Sequence, residues 1–175
     1  MESSVDAGLR RRLESAQIDY CVIGATALAT LGYVRATGDI DLLVLAPEVL
    51  SRAFWGDASV EILVGDPEDT LRGSVIWPSE IRHDVVVGKT WAARLALQTS
   101  TQNALLGCKV AQPLPLALMK LEAGSAQDIY DVIALIERRR LLGDIAWIDE
   151  LPAHLPRLTP EGREAWSRMQ LVLQR

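Results

Sequence analysis

The chain predicts an α/β fold: a mixed α/β core over residues 1–112, followed by a helical subdomain over residues 113–175. Two patterns carry this. Up to Ala111, apolar runs of strand length alternate with helical spacings, and from Pro113 onward only helical spacings remain. A hydrophobic content of 49% in 175 residues supplies a core and is too high for a disordered chain.

In order, Val5, Leu9, Leu13 and Ala16 recur at helical spacing and predict a helix over 4–16. "YCVIG" (20–24) is a short apolar strand ending in glycine. "ATALATLG" (25–32) is a short helix stopped by Gly32. "DIDLLVL" (39–45) is the second strand, and Pro47 opens a helix to about Trp55. Strands follow at 60–64, 73–77 and 83–88, then a helix from Lys89 to about Leu97 and a last strand at 105–111. After the hinge-like Pro-Leu-Pro punctuation at 113–115, helices are expected at 116–123, 126–139, 145–151 and 160–174.

The composition narrows the function. The 18 basic and 23 acidic residues leave a net charge of −5, which argues against coating nucleic acid through bulk positive charge. No apolar run approaches the ~20 residues of a membrane span, and the N-terminus lacks the apolar stretch of a signal peptide. Cys21 and Cys108 lie in apolar contexts without a CxxC spacing, so buried free thiols and a cytoplasmic location are expected.

One stretch resists a purely structural account. "ATGDIDLLV" reads as a buried strand, yet it carries Asp39 and Asp41, and aspartate is depleted in strands. Side chains on a strand alternate faces, so both acids share one face while Ile40 and Leu42 take the other. A divalent cation would relieve both their repulsion and their desolvation, and all-oxygen ligation suits Mg²⁺ or Mn²⁺. Solvation at a strand end, or pairing with Arg35, is the alternative. Upstream, "VIGATALA" sets a strand, a glycine and a helix start in series, the pattern of a phosphate cradle, with the hydroxyl of Thr26 at its mouth. Downstream, "RHDVVVG" adds Asp84 in another β-rich run, where a pair with Arg82 or His83 is the simpler role. Three carboxylates on neighbouring strands would suit two-metal nucleotidyl displacement.

Taken together, "VIGATALATLGYVRATGDIDLLV" resembles the signature of the nucleotidyltransferase superfamily, the polymerase-β-like fold. Its "TAL", later Arg and Thr, and "DIDL" are most similar to AbiEii-type toxins and related small bacterial nucleotidyltransferases. "LPLALMKLEAGSAQDIYDVIAL" resembles the family's lysine-bearing helix with its D-x-x-D continuation, and the resemblance spans roughly residues 20–137. It implies a mixed-sheet core with a nucleotide in the cleft beside the helical subdomain. Gly24, Thr26 and Lys120 would contact the NTP, and Asp39, Asp41 and Asp84 would hold Mg²⁺ or Mn²⁺, with Asp84 a candidate general base.

The implied reaction moves a nucleoside monophosphate from an NTP to a hydroxyl, on a tRNA 3′ end or a protein side chain, in a toxin–antitoxin or phage-defence setting with a cognate toxin or antitoxin as partner. A non-catalytic nucleotide-binding or protein-interaction module keeping this fold is the alternative. The chain departs from the family at Ala25, where Gly or Ser is usual. Asp128 and Asp131 share a helix face and read as structural: they cap the helix start, pair with a residue such as Arg138, or help position Lys120. The arginines of "ERRR" (137–140) complement a helix C-terminus.

Overall fold

The computed structural model describes residues 5–173. Its centre is a seven-stranded mixed sheet: β1 (Tyr20–Val22), β2 (Asp39–Val44), β3 (Glu61–Val64), β4 (Leu71–Trp77), β5 (Arg82–Gly88), β6 (Thr101–Asn103) and β7 (Cys108–Val110). The spatial order is β3-β4-β5-β2-β1-β7-β6. β2 runs parallel to β5 and β1 parallel to β7, and the other neighbours are antiparallel.

The helices are α1 (Ala7–Ser15), α2 (Gly24–Thr30), α3 (Arg52–Trp55), α4 (Trp91–Thr99), α5 (Pro113–Ala123), α6 (Ala126–Leu141), α7 (Ala146–His154) and α8 (Pro160–Leu173). The two central strands show why the site lies where it does. At their N-terminal ends β2 and β5 alternate between buried and partly exposed residues; further along, Leu42–Val44 and Val85–Gly88 are buried on both faces. Parallel strands covered on both sides read this way, so the polar side chains that β2 and β5 can offer to a ligand lie at their N-terminal ends.

α1 is capped by Asp6, whose carboxylate accepts from the N–H groups of Gly8 and Leu9 and from Trp77 Nε1. His83 is buried against this cap: its Nε2 accepts from the Asp6 N–H at 3.1 Å, while Nδ1 lies 2.7 Å from the Ile81 carbonyl. The other helices bury apolar faces in one continuous core that runs from Leu9 and Leu13 through the sheet to Leu151 and Met169. α5 is buried on nearly all sides, between α4 and the helices α6, α7 and α8. Arg157 stacks on Trp91 with its guanidinium 3.6 Å from the ring centre, joining the segment after α7 to the start of α4. Both cysteines are free and buried, and burial pushes the Cys21 thiol up to about 12.

The structure corrects several expectations. The helix expected over 47–55 is a 3₁₀ turn (Pro47–Leu50), an extended Ser51 and the single turn of α3. That break lets both Val49 and Trp55 reach the core, with Trp55 Nε1 donating to the Val49 carbonyl at 2.6 Å. The strand expected at 105–111 is confined to β7, because Gly107 adopts φ +64 and residues 104–107 form the turn of a hairpin. Its partner β6, the polar Thr-Gln-Asn, carries no apolar alternation to betray it. Pro113 and Pro115 are no hinge: they open α5, where a missing N–H costs nothing. Ser4 and Gln174, at the ends of two expected helices, lie outside the described residues.

Candidate active site

β2 and β5 pair in parallel with Asp41 opposite Asp84 and Asp39 opposite Arg82. The period of two therefore sends Asp39, Asp41 and Asp84 to one face and Ile40 and His83 to the other. The three carboxylates offer oxygens that all lie within 4.8 Å of one another. Burial pushes the Asp41 carboxyl up to about 6, and the charges of Asp39 and Asp84 push in the same direction, against the pull of Lys120 and Arg35. Asp39 accepts from the Thr37 hydroxyl.

The two alternatives open for Asp84 are both realised. It joins the acidic trio, and it also receives Arg82 as a two-pronged fork, at 2.7 Å from Nε and 2.9 Å from Nη2. Arg82 stands exposed at the rim. Arg35 turns away from the trio and pairs with Asp131, Nε to Oδ1 at 3.1 Å.

Gly24 is separated from β1 by Ile23 alone and starts α2. Its φ is +63°, and a Cβ there would lie 1.9 Å from Asp41 Oδ2. The glycine thus serves two needs at once, a left-handed backbone and the close approach of a carboxylate. Ala25 carries no such demand: it is buried in α2 at ordinary helical φ. Thr26 is also buried, one residue further into the helix.

A cavity of about 280 Å³ opens beside the acids. Gly24, Arg35, Asp41, Lys120 and Asp128 line it together, and Val86, Leu116 and Met119 form apolar wall. Thr26, Asp39 and Asp84 are not on its wall. Lys120 is 8% exposed and held from two sides, at 2.9 Å from Asp128 and 2.7 Å from Asp131. Asp128 also accepts from Ser125, whose hydroxyl in turn caps α6. Asp131 is fully buried and accepts from Gln127 Nε2 at 2.9 Å. Burial would raise its carboxyl, but the hydrogen bonds from Lys120 and Gln127 and the charges of Lys120 and Arg35 prevail and hold it below the usual carboxylate range.

The sequence reading missed Glu122, which is 5% exposed and lines the same cavity with Thr90. Burial pushes its carboxyl up, eased by the Thr90 hydroxyl and the charge of Arg94. A signal was present: "PLPLALMKLEA" has no polar face, so a helix made of it is buried all round and takes both of its charges inside.

No protein-family model matches the chain, and no curated protein sequence does. Solved structures do. The antibiotic-resistance factor ANT(2'')-Ia matches in its complex with adenylyl-2''-tobramycin at TM-score 0.51 and 12% identity, over 91% of this chain and 94% of that one. Its solution structure matches at TM-score 0.50 and 12% identity, over 83% and 90%. The fold is that of the nucleotidyltransferases. An antigenic nucleotidyltransferase-like protein from Paracoccidioides brasiliensis aligns at TM-score 0.45 and 18% identity, over 90% and 88%.

Proposed function

We propose that the protein is a metal-dependent nucleotidyltransferase that moves a nucleoside monophosphate from an NTP to a hydroxyl acceptor. The observation that carries this reading is the convergence of Asp39, Asp41 and Asp84 within 4.8 Å beside a cavity that also exposes Gly24 and Lys120. Three carboxylates at this spacing fit Mg²⁺ or Mn²⁺ by donor chemistry. The metal would neutralise charge on the phosphates and polarise the reacting phosphoryl group.

The chain's own residues have separable tasks. Gly24 leaves the backbone at the mouth of α2 clear, and the N–H groups there, with the Thr26 segment, approach the phosphates. Lys120 balances triphosphate charge, and Asp128 and Asp131 fix where its ammonium points. Asp84 takes the proton of the acceptor hydroxyl. Such chemistry asks for positioning and preorganised charge. The sequence resemblance to AbiEii-type proteins makes a tRNA 3′ end or a protein side chain the acceptors to try first, and a toxin–antitoxin pair the biological setting to try first.

The test is incubation with each α-labelled NTP, Mg²⁺ or Mn²⁺, total tRNA, protein lysate and small hydroxyl compounds. Label should move to one acceptor with release of pyrophosphate, and Asp41→Asn should abolish it. Absence of NTP binding would refute the reading. NTP binding without transfer to any acceptor would favour a binding module.

A further inference from the structure

Arg35 reaches the nucleotide cavity from the connection between α2 and β2. Its side chain is 30% exposed and lines that cavity with Gly24, Asp41 and Lys120. It stands beside Lys120. Lys120 Nζ lies 2.7 Å from Asp131 Oδ2, and Arg35 Nη2 donates to the same oxygen at 3.3 Å. Two cations gathered on one carboxylate oxygen repel each other, and a further anion between them would relieve that repulsion.

Asp131 does not need the arginine to be satisfied. Burial raises its carboxyl; the hydrogen bonds of Lys120 and Gln127 do most to bring it down, and the charge of Arg35 contributes least. The dependence runs the other way, with the buried Asp131 holding Arg35. One edge of the guanidinium is fixed on that carboxylate, Nε at 3.1 Å and Nη2 at 3.3 Å. Nη1 has only the Ala36 carbonyl, at 3.3 Å in an exposed place. A guanidinium carries five N–H donors in one plane, so Arg35 keeps donors for a ligand while its orientation is set. Lys120 has three N–H donors and is clasped by Asp128 and Asp131. Both cations also pull the Asp41 carboxyl down against its burial, so both lie within electrostatic reach of the acidic trio.

We propose that Arg35 binds the terminal phosphates of the nucleotide, and that Arg35 and Lys120, paired on Asp131, select a nucleoside triphosphate over a mono- or diphosphate. This rests on the nucleotidyl-transfer reading above. With the α-phosphate beside Asp41, the β- and γ-phosphates extend along the cavity wall to the two cations. The planar fork of Arg35 meets two phosphate oxygens at once, which an ammonium cannot do. In the transfer step the acceptor oxygen bonds to the α-phosphorus, and the bond from that phosphorus to the bridging oxygen breaks. The electron pair leaves with pyrophosphate, and the hydroxyl proton passes to Asp84. The charge that gathers on pyrophosphate meets donors already in place. A monophosphate has no group to span the two cations, and a diphosphate stops short of the second.

Inorganic pyrophosphate is the first probe, because it needs no knowledge of the base. It is titrated calorimetrically with Mg²⁺ into the parent protein, Arg35→Gln and Arg35→Lys, and each NTP and its NMP follow. Arg35→Gln should bind pyrophosphate and NTP about tenfold more weakly, the loss of one charged hydrogen-bonded contact, with NMP affinity unchanged. Arg35→Lys keeps the charge without the fork and should fall between. Unchanged pyrophosphate affinity in Arg35→Gln overturns the proposal, whatever its melting temperature, because Arg35 then serves Asp131 alone. An equal loss for NMP and NTP overturns it too. If Arg35→Gln does not fold, Arg35→Lys decides, and pyrophosphate affinity equal to the parent's overturns the proposal. The parent's NTP titration is read separately. A parent that binds no NTP removes the transferase reading and this role with it; NTP affinity retained in both variants removes the role of Arg35 alone.

Discussion

Two charged clusters lie within one cavity's reach, and they are built on opposite terms. Around Lys120, two cations (Lys120, Arg35) meet two carboxylates (Asp128, Asp131), and the buried Asp131 is satisfied from three sides. On the sheet, three carboxylates crowd within 4.8 Å, and among the described residues Arg82 at the exposed rim is the one cation that forms an ion pair with them, while Lys120 and Arg35 act on Asp41 from a distance. The first cluster is complete within the protein. The second leaves excess negative charge, the condition for binding something positive. Internal neutrality marks a positioning device, and local imbalance marks the place where a ligand finishes the structure.

The contrast can be broken most forcefully at Asp131. Asp131→Ala leaves Lys120 and Arg35 without their shared buried partner, and the loss should be on the order of 3–5 kcal/mol. Urea unfolding would measure it; a loss under about 1 kcal/mol would mean the cluster is not a unit.

At Asp41 the sign reverses. Its folded-state carboxyl titrates at about 6 against an ordinary 3.8, so the folded protein binds a proton more readily than the unfolded chain. Stability without metal should therefore fall as pH rises from about 4 to about 6, by up to about 3 kcal/mol. Asp41→Asn should flatten that slope and raise the metal-free melting temperature at pH 8 while abolishing transfer. Melting curves at several pH values, with and without Mg²⁺, decide it: a steeper slope in the variant would refute the crowding.

Gly24→Ala sharpens the contrast at the boundary between the clusters. A left-handed alanine costs about 1 kcal/mol, and its Cβ would displace Asp41 Oδ2. Mn²⁺ affinity should therefore drop more than stability does, as read by titration calorimetry beside thermal melting. The smallest effect is expected at Arg82. Arg82→Ala should leave the melting temperature nearly unchanged, because the side chain is exposed, yet tighten Mn²⁺ binding by freeing both oxygens of Asp84. Weaker binding would make Arg82 a support of the site.

What the sequence made legible followed from periodicity. Asp39 and Asp41 had to share a face because strand side chains alternate, and Gly24 announced a close approach that proves to be with Asp41 itself. Asp84 was harder: a strand run shows its face only relative to a partner, and the Asp41–Asp84 register is a long-range fact. Pairwise context hid more. For Asp128 and Asp131 the sequence left capping, an Arg138 pair and support of Lys120 open, and only the packing of α6 on α5 decides for the lysine; nothing near Arg35 points 96 residues ahead to Asp131. Ala25 stood out as a departure from the family pattern, yet the backbone strain sits one residue earlier, so Ala25→Gly has no positive φ to relieve. β6 escaped because a three-residue polar edge strand draws its stability from its hairpin partner.

The two buried thiols have a practical consequence. Cys21 is fully enclosed and Cys108 nearly so, and burial raises both thiols, leaving almost no reactive thiolate at neutral pH. A maleimide dye offered to the native protein should find little to attack. A single cysteine introduced at Val34, which is 78% exposed in the connection between α2 and β2, would then be the only fast-reacting position. The native pair can stay in place, and a fluorophore there would report on the loop that carries Arg35 to Asp131 as nucleotide and metal are added.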